Sequence, residues 1–159
     1  MRLLIVRHAI AVPHGTAGIS DDDRPLTDDG RKKFRRTARG IAGLVRRPDA
    51  LLTSPMRRAR ETAELLAAAW KQIEPQDEPA LASGDFAGLE ATLAHYRPEQ
   101  LVAIVGHEPH LSGLLAHLVD ARSPERFAFR KGGCALVEVK GALSEGGLLH
   151  WFARPRMFR

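Results

Sequence analysis

Short apolar runs of strand length alternate along this chain with stretches whose apolar residues recur at helical spacing. Leu3-Leu4-Ile5-Val6, Ala50-Leu51-Leu52-Thr53 and Leu101-Val102-Ala103-Ile104-Val105 are continuous runs, the pattern of strands covered on both faces. Thr27-Asp28-Asp29 predicts a helix start, with Thr27 as N-cap and acids in the first turn. Phe34, Ala38, Ile41 and Val45 then form one face, Arg31, Lys32, Arg35, Arg36 and Arg39 the other, and Pro48 lies beyond the end. Ser54-Pro55 predicts a second helix start, a cap followed by proline at the first helical position, running to Trp70 with Ala59, Ala63 and Leu66 inward. Residues 74–85 read as loop with a short strand at Pro79–Ala82. Leu89, Leu93 and Tyr96 suggest a short helix ended by Pro98, and Leu111, Leu114, Leu115 and Leu118 mark another over 109–119. Cys134–Val139 and Leu148–Phe152 read as a closing hairpin around the Gly-rich turn 141–147. Residues 10–26 form a long polar loop, and 122–131 a basic irregular connection.

This alternation predicts an α/β fold: a three-layer α/β/α sandwich with a mostly parallel central sheet and a C-terminal hairpin at one edge. A chain of 159 residues suits one domain over 1–159. Each of the three clearest strands ends in a polar signature: Arg7-His8, Ser54-Pro55 and Gly106-His107. Parallel strands would bring those signatures to the sheet edge where α/β folds bind ligands.

Composition adds direction rather than identity. At 44% hydrophobic residues the chain has enough apolar surface for an ordinary globular core. The formal charge of +5 favours anionic partners without choosing among them. The lone cysteine, Cys134, lies in an apolar strand and reads as core, with no internal disulfide. Arg7-His8 cuts the first apolar run too short for a secretion signal, and no stretch is long enough to span a membrane. The expectation is a cytoplasmic protein without a membrane partner.

The strand ends carry the chemistry. A neutral His8 imidazole could attack phosphorus, provided its other nitrogen is held by an acceptor such as a carbonyl of the following loop. Arg7 would supply a planar fork for phosphoryl oxygens, as would Arg57, Arg58 or Arg60 near the start of the second helix. His107 could donate to the same oxygens. Taken singly, His8 and His107 each fit a structural histidine, and the arginine cluster fits a solvated helix face. His107-Glu108-Pro109-His110 is one residue short of the H-E-x-x-H zinc pattern and is interrupted by Pro109, so no metal or other cofactor is expected.

Together the motifs show a resemblance. Arg7-His8-Ala9 after a strand resembles the R-H-G signature of the histidine phosphatase superfamily. Ser54-Pro55-Met56-Arg57-Arg58-Ala59-Arg60-Glu61-Thr62 resembles its S-P-x-x-R-A-x-x-T segment, and Gly106-His107 its second catalytic histidine. Arg24-Pro25-Leu26-Thr27-Asp28-Asp29-Gly30 resembles the R-P-L-T-x-x-G segment of small SixA-type phosphohistidine phosphatases. The resemblance implies His8 as nucleophile and Arg7, Arg58 and His107 as its phosphate pocket. Arg58 is chosen over Arg57 because it directly precedes Ala59. Ser54 aligns with the family serine and would cap, and Arg24 would contact the substrate or the pocket. Larger members carry an acidic proton donor on an inserted segment for which this chain has little room. Asp85, in Ser83-Gly84-Asp85, is the nearest candidate. The implied function is a metal-independent phosphatase acting on phosphohistidine of a protein partner. Small phosphomonoesters or sugar phosphates are the alternative substrates. A binding module for phosphorylated ligands or nucleic acid is a third reading, disfavoured because His8, Arg58 and His107 are all present.

Overall fold

The computed structural model describes residues 1–158 and shows one six-stranded sheet with helices on both faces. Strands β1 (Arg2–Arg7), β2 (Ala50–Thr53), β3 (Pro75–Asp77), β4 (Leu101–Gly106), β5 (Cys134–Val139) and β6 (Gly147–Ala153) are ordered β3-β2-β4-β1-β5-β6. The first four are parallel, whereas β5 runs antiparallel to β1 and pairs with β6 as an edge hairpin. The expected sandwich with a mostly parallel sheet is therefore the observed one.

Side-chain alternation along β1 explains the layers. Leu4 and Val6 join the core beneath α1 (Asp28–Leu44) and α2 (Arg57–Ala69), which contribute Phe34, Ile41, Ala63 and Leu66. Leu3 and Ile5 join the opposite core with Leu81 of the short helix α3 (Ala80–Ser83), Leu93 of α4 (Phe86–Leu93) and Leu115 of α5 (His110–Leu118). A strand covered on both faces has no use for polar positions, which is why β1 and β4 read as unbroken apolar runs. Among the described residues no helix is long and apolar enough to cross a membrane.

Thr27 caps α1 as expected, its Oγ1 accepting from the Gly30 amide at 2.9 Å. Gly30 is required for space, because a Cβ there would run into the carbonyl oxygen of Ile10. Two local expectations are corrected. Ser54 is not the cap of α2: the helix begins at Arg57 after Met56, because the Ser54 amide still extends the sheet by donating to the Val105 carbonyl at 2.9 Å. The edge strand lies at Pro75–Asp77, not Pro79–Ala82. Glu78 ends it by accepting the Ala80 amide on Oε1 at 3.0 Å, which starts the helical turn α3.

Candidate active site

Sheet register aligns the three polar signatures. Arg7 stands opposite Gly106 and Thr53 opposite Val105, so His8, Ser54 and His107 each follow at the carboxyl edge. The His8 amide extends the ladder to the Gly106 carbonyl at 3.1 Å. Rings of His8 and His107 then lie 5.1 Å apart between centroids, although 99 residues separate them in sequence.

His8 is buried, and its Nδ1 lies 2.7 Å from the carbonyl oxygen of Ala9. A carbonyl can only accept, so Nδ1 carries the proton and Nε2 keeps its lone pair. Burial, with the charges of His107, Arg58 and Arg7 adding to it, pulls the His8 pKa down to about 3. The imidazole is therefore neutral near pH 7, the form a nitrogen nucleophile needs. His107 is drawn down to about 4, first by burial and then by Arg58. Its Nε2 lies 2.7 Å from Ser54 Oγ, which in turn accepts the Met56 amide at 3.2 Å. Assigning the Ser54 hydroxyl proton to Nε2 places the His107 proton on Nδ1.

That Nδ1 has no partner. Neither has Arg7 Nε nor Arg58 Nε, and these are the three buried side-chain nitrogens or oxygens without one among the described residues. The rest of each guanidinium is anchored. Arg7 Nη1 donates to the Phe129 carbonyl at 2.6 Å, and Arg58 Nη1 to the Asp21 carbonyl at 2.7 Å. Burial lowers the pKa of both arginines, yet the guanidinium keeps its proton at any ordinary pH. An unmet buried donor costs roughly 1–3 kcal/mol, so three beside one imidazole mark a place prepared for an anion.

Two segments hold this arrangement from outside the strands. Residues 129–133 wrap β1: the Gly132 amide donates to both Arg7 and His8 carbonyls at 3.1 and 3.0 Å, and the Arg7 amide to Gly133 at 3.0 Å. Gly132 adopts a φ of +79°, the left-handed region that a side chain would resist. Thr62, fully buried in α2, accepts the Ala9 amide at 3.0 Å and donates to the Arg58 carbonyl at 2.7 Å, so it joins the loop after His8 to the helix bearing Arg58. The motif containing Thr62 was visible in the sequence. The Phe129 carbonyl carries no side-chain signal and could not have been.

The 10–26 loop is closed at its neck by a bridge between Ala11 and Leu26. Arg24 lies within it, donating through Nε to Asp21 Oδ1 and through Nη1 to the Val12 carbonyl, both at 2.8 Å. Asp21 also reaches Arg58, so the loop delivers Arg24 and Asp21 to the rim. Asp21 was missed because it is one of three consecutive aspartates, distinguished only by tertiary contacts. Asp85 is not brought into this group. Its Oδ1 caps α4 by accepting the Gly88 amide at 3.0 Å, and it lines a separate apolar cavity with Phe86, Leu89, Pro109 and His110.

The family model of the histidine phosphatase superfamily (branch 1) matches residues 3–99. An uncharacterized protein of Picosynechococcus sp. is 32% identical over 136 residues, 84% of this chain and 82% of that one. The serine/threonine-protein phosphatase Pgam5 of Drosophila yakuba is 35% identical over 101 residues, and the match spans 58% of this chain but only 34% of the fly protein. Among solved structures, the protein histidine phosphatase SixA complexed with tungstate superposes with a TM-score of 0.84 at 25% identity, covering 100% of both chains. The matched span takes in Arg7, His8 and Arg58, and this chain belongs to the histidine phosphatase superfamily.

Proposed function

We propose that the chain is a phosphatase that passes a phosphoryl group through His8, and that its substrate is phosphohistidine on a protein. The observation that carries this reading is the set of three unmet donors, Arg7 Nε, Arg58 Nε and His107 Nδ1, around a neutral imidazole. In the first step His8 Nε2 attacks phosphorus; the P–Nε2 bond forms while the bond to the leaving group breaks, and the leaving atom takes a proton from water. In the second step water attacks phosphorus and the P–Nε2 bond breaks; one water proton stays on the phosphate and the other goes to solvent, replacing the proton taken in the first step. Charge gathers on the equatorial oxygens in both steps, where fixed cations and N–H groups stabilise it most. Arg7, Arg58 and His107 are assigned that role. Ser54 orients His107, and Arg24 steadies the rim.

The substrate class rests on how poorly Asp21 and Asp85 are placed to give a proton. Hydrogen bonding with His14, reinforced by Arg24 and the charge of Arg58, holds Asp21 at about 2, so it is ionised and has no proton to give. Asp85 is occupied as a helix cap. An imidazole leaving group needs less help than an alkoxide, because it is readily protonated from solvent. The overlay on SixA supports the same choice.

Two measurements test the proposal. Incubation with a labelled phosphohistidine protein should leave acid-labile phosphate on the wild-type chain and none on His8→Ala; label surviving in the variant overturns the nucleophile. Turnover of that protein should exceed turnover of a panel of phosphomonoesters and sugar phosphates. A clear preference for an ester would move the substrate to the small-molecule class while keeping the chemistry.

A further inference from the structure

Arg58 is held unevenly. Nη1 is fixed by a backbone carbonyl at 2.7 Å, and Nε is unmet. Nη2 has only weak company: Asp21 Oδ2 at 3.4 Å and the thioether sulfur of Met56 at 3.1 Å. A 3.4 Å contact is near the outer limit for a hydrogen bond, and sulfur is a poor acceptor. The orientation of the guanidinium is thus set by one nitrogen, while another is loosely satisfied by a tethered carboxylate.

That carboxylate is better held elsewhere. Asp21 Oδ1 meets His14 Nδ1 and Arg24 Nε, each at 2.8 Å. If Arg58 turned to another anion, Asp21 would keep both of its shorter bonds and would not be stranded. Its displacement is therefore cheap, and the loop neck keeps it within reach for its return. Held ionised, a carboxylate in this position has no proton to donate, and its low basicity makes it an inefficient general base for water. What it can do is compete.

We propose that Asp21 is an internal competitor for Arg58, displaced when a phosphoryl dianion enters and returning to Nη2 as inorganic phosphate leaves. This rests on the reading of Arg58 as a phosphate-pocket residue. It assigns Asp21 to product release. A cup of unmet donors and fixed cations would otherwise retain phosphate, the anion it is built to hold. A tethered carboxylate lowers the affinity for product without touching the phosphorus or His8. On the Asp21 side its contact with Arg58 is open to solvent, the Asp21 side chain being 38% exposed, so its effect is a moderate one.

The test is calorimetric titration of orthophosphate into the wild-type chain, Asp21→Asn and Asp22→Asn, beside product inhibition of phosphohistidine-protein turnover. Asparagine keeps the size of the residue and its backbone carbonyl, and so the Nη1 anchor. Asp21→Asn should bind phosphate about three- to tenfold more tightly, with inhibition strengthened to match, as expected for losing one rim ion-pair contact. Asp22 is close enough for its charge to act on Arg58 but makes no bond to it, so Asp22→Asn should change phosphate affinity by less than about twofold. Unchanged or weaker binding in Asp21→Asn overturns the competitor and makes Asp21 a support for Arg58 instead. Equal tightening in both variants also overturns it, since the effect would then be a through-space field. Failure of the wild-type chain to bind phosphate at all would overturn the phosphate pocket itself, and this proposal with it. A circular dichroism melt of each variant confirms that the loop change leaves the fold in place.

Discussion

Ser54 shows how much one side chain can do beyond the role its sequence position suggests. Its hydroxyl links the Met56 amide to His107 Nε2, and so selects which His107 nitrogen carries the proton. Removing it leaves the ring free to place its hydrogen on Nε2, where the unmet donor at Nδ1 would become a repelling lone pair. Ser54→Ala is expected to lower kcat/KM on the phosphohistidine protein about tenfold, the worth of roughly one hydrogen bond in the transition state. Ser54→Thr, which keeps the hydroxyl, should recover most of it. Steady-state kinetics of the three proteins check this; an unaltered Ser54→Ala would confine Ser54 to the turn. The residues at the strand ends were legible in the sequence only as a set, since singly each fits a structural histidine or a solvated arginine and their order along the chain carried the resemblance. The second job of Ser54 was not, since it depends on where β4 brings His107.

At the scale of elements, the link between the loop after β1 and α2 runs through Thr62. Both its bonds lie in the core: it accepts from the Ala9 amide and donates to the Arg58 carbonyl. Thr62→Val preserves the shape but leaves the Ala9 amide without a partner, which should cost about 1–3 kcal/mol of stability. Urea unfolding measures this, and a loss well under the lower figure would mean that the amide had found another acceptor. The elements themselves followed from periodicity where apolar runs were long. The Thr27 cap, α1 and the closing hairpin are where the pattern put them, whereas α4 ends at Leu93, short of Tyr96. It failed at α2, where Ser54-Pro55 has the form of a cap but the sheet claims the serine for one more ladder bond. It failed again at β3, three mostly exposed residues whose strand identity comes from pairing with β2 rather than from their own side chains. Propensity cannot report a contact that only the assembled sheet provides.

For the whole molecule, the two buried histidines tie stability to pH. Their ordinary value is about 6.5, and the fold lowers His8 to about 3 and His107 to about 4. Below pH 6.5 the unfolded chain therefore binds protons that the folded chain refuses, so stability is full above that value and falls as the pH drops towards 4 and then 3. Each histidine contributes a slope of up to about 1.4 kcal/mol per pH unit in that window. Tm measured from pH 7 to pH 4 should fall more steeply for the wild-type chain than for a His8→Gln, His107→Gln double variant, and parallel curves would contradict the two burial shifts.

The unbroken apolar character of β1 and β4 leaves one further matter. With both faces of each strand greasy, sliding one strand along the other would exchange leucine for valine and little else, so the interior pattern is a poor ruler for their alignment. The marks on the ruler are at its ends: Arg2, whose amide donates to the Gln100 carbonyl at one end, and the charged and ring side chains beyond Val6 and Gly106 at the other. A slipped strand would drag one of these into oil. Inactive forms made for trapping partners should therefore keep a polar residue at position 8, as in His8→Asn. A leucine there would erase a graduation as well as the proposed nucleophile.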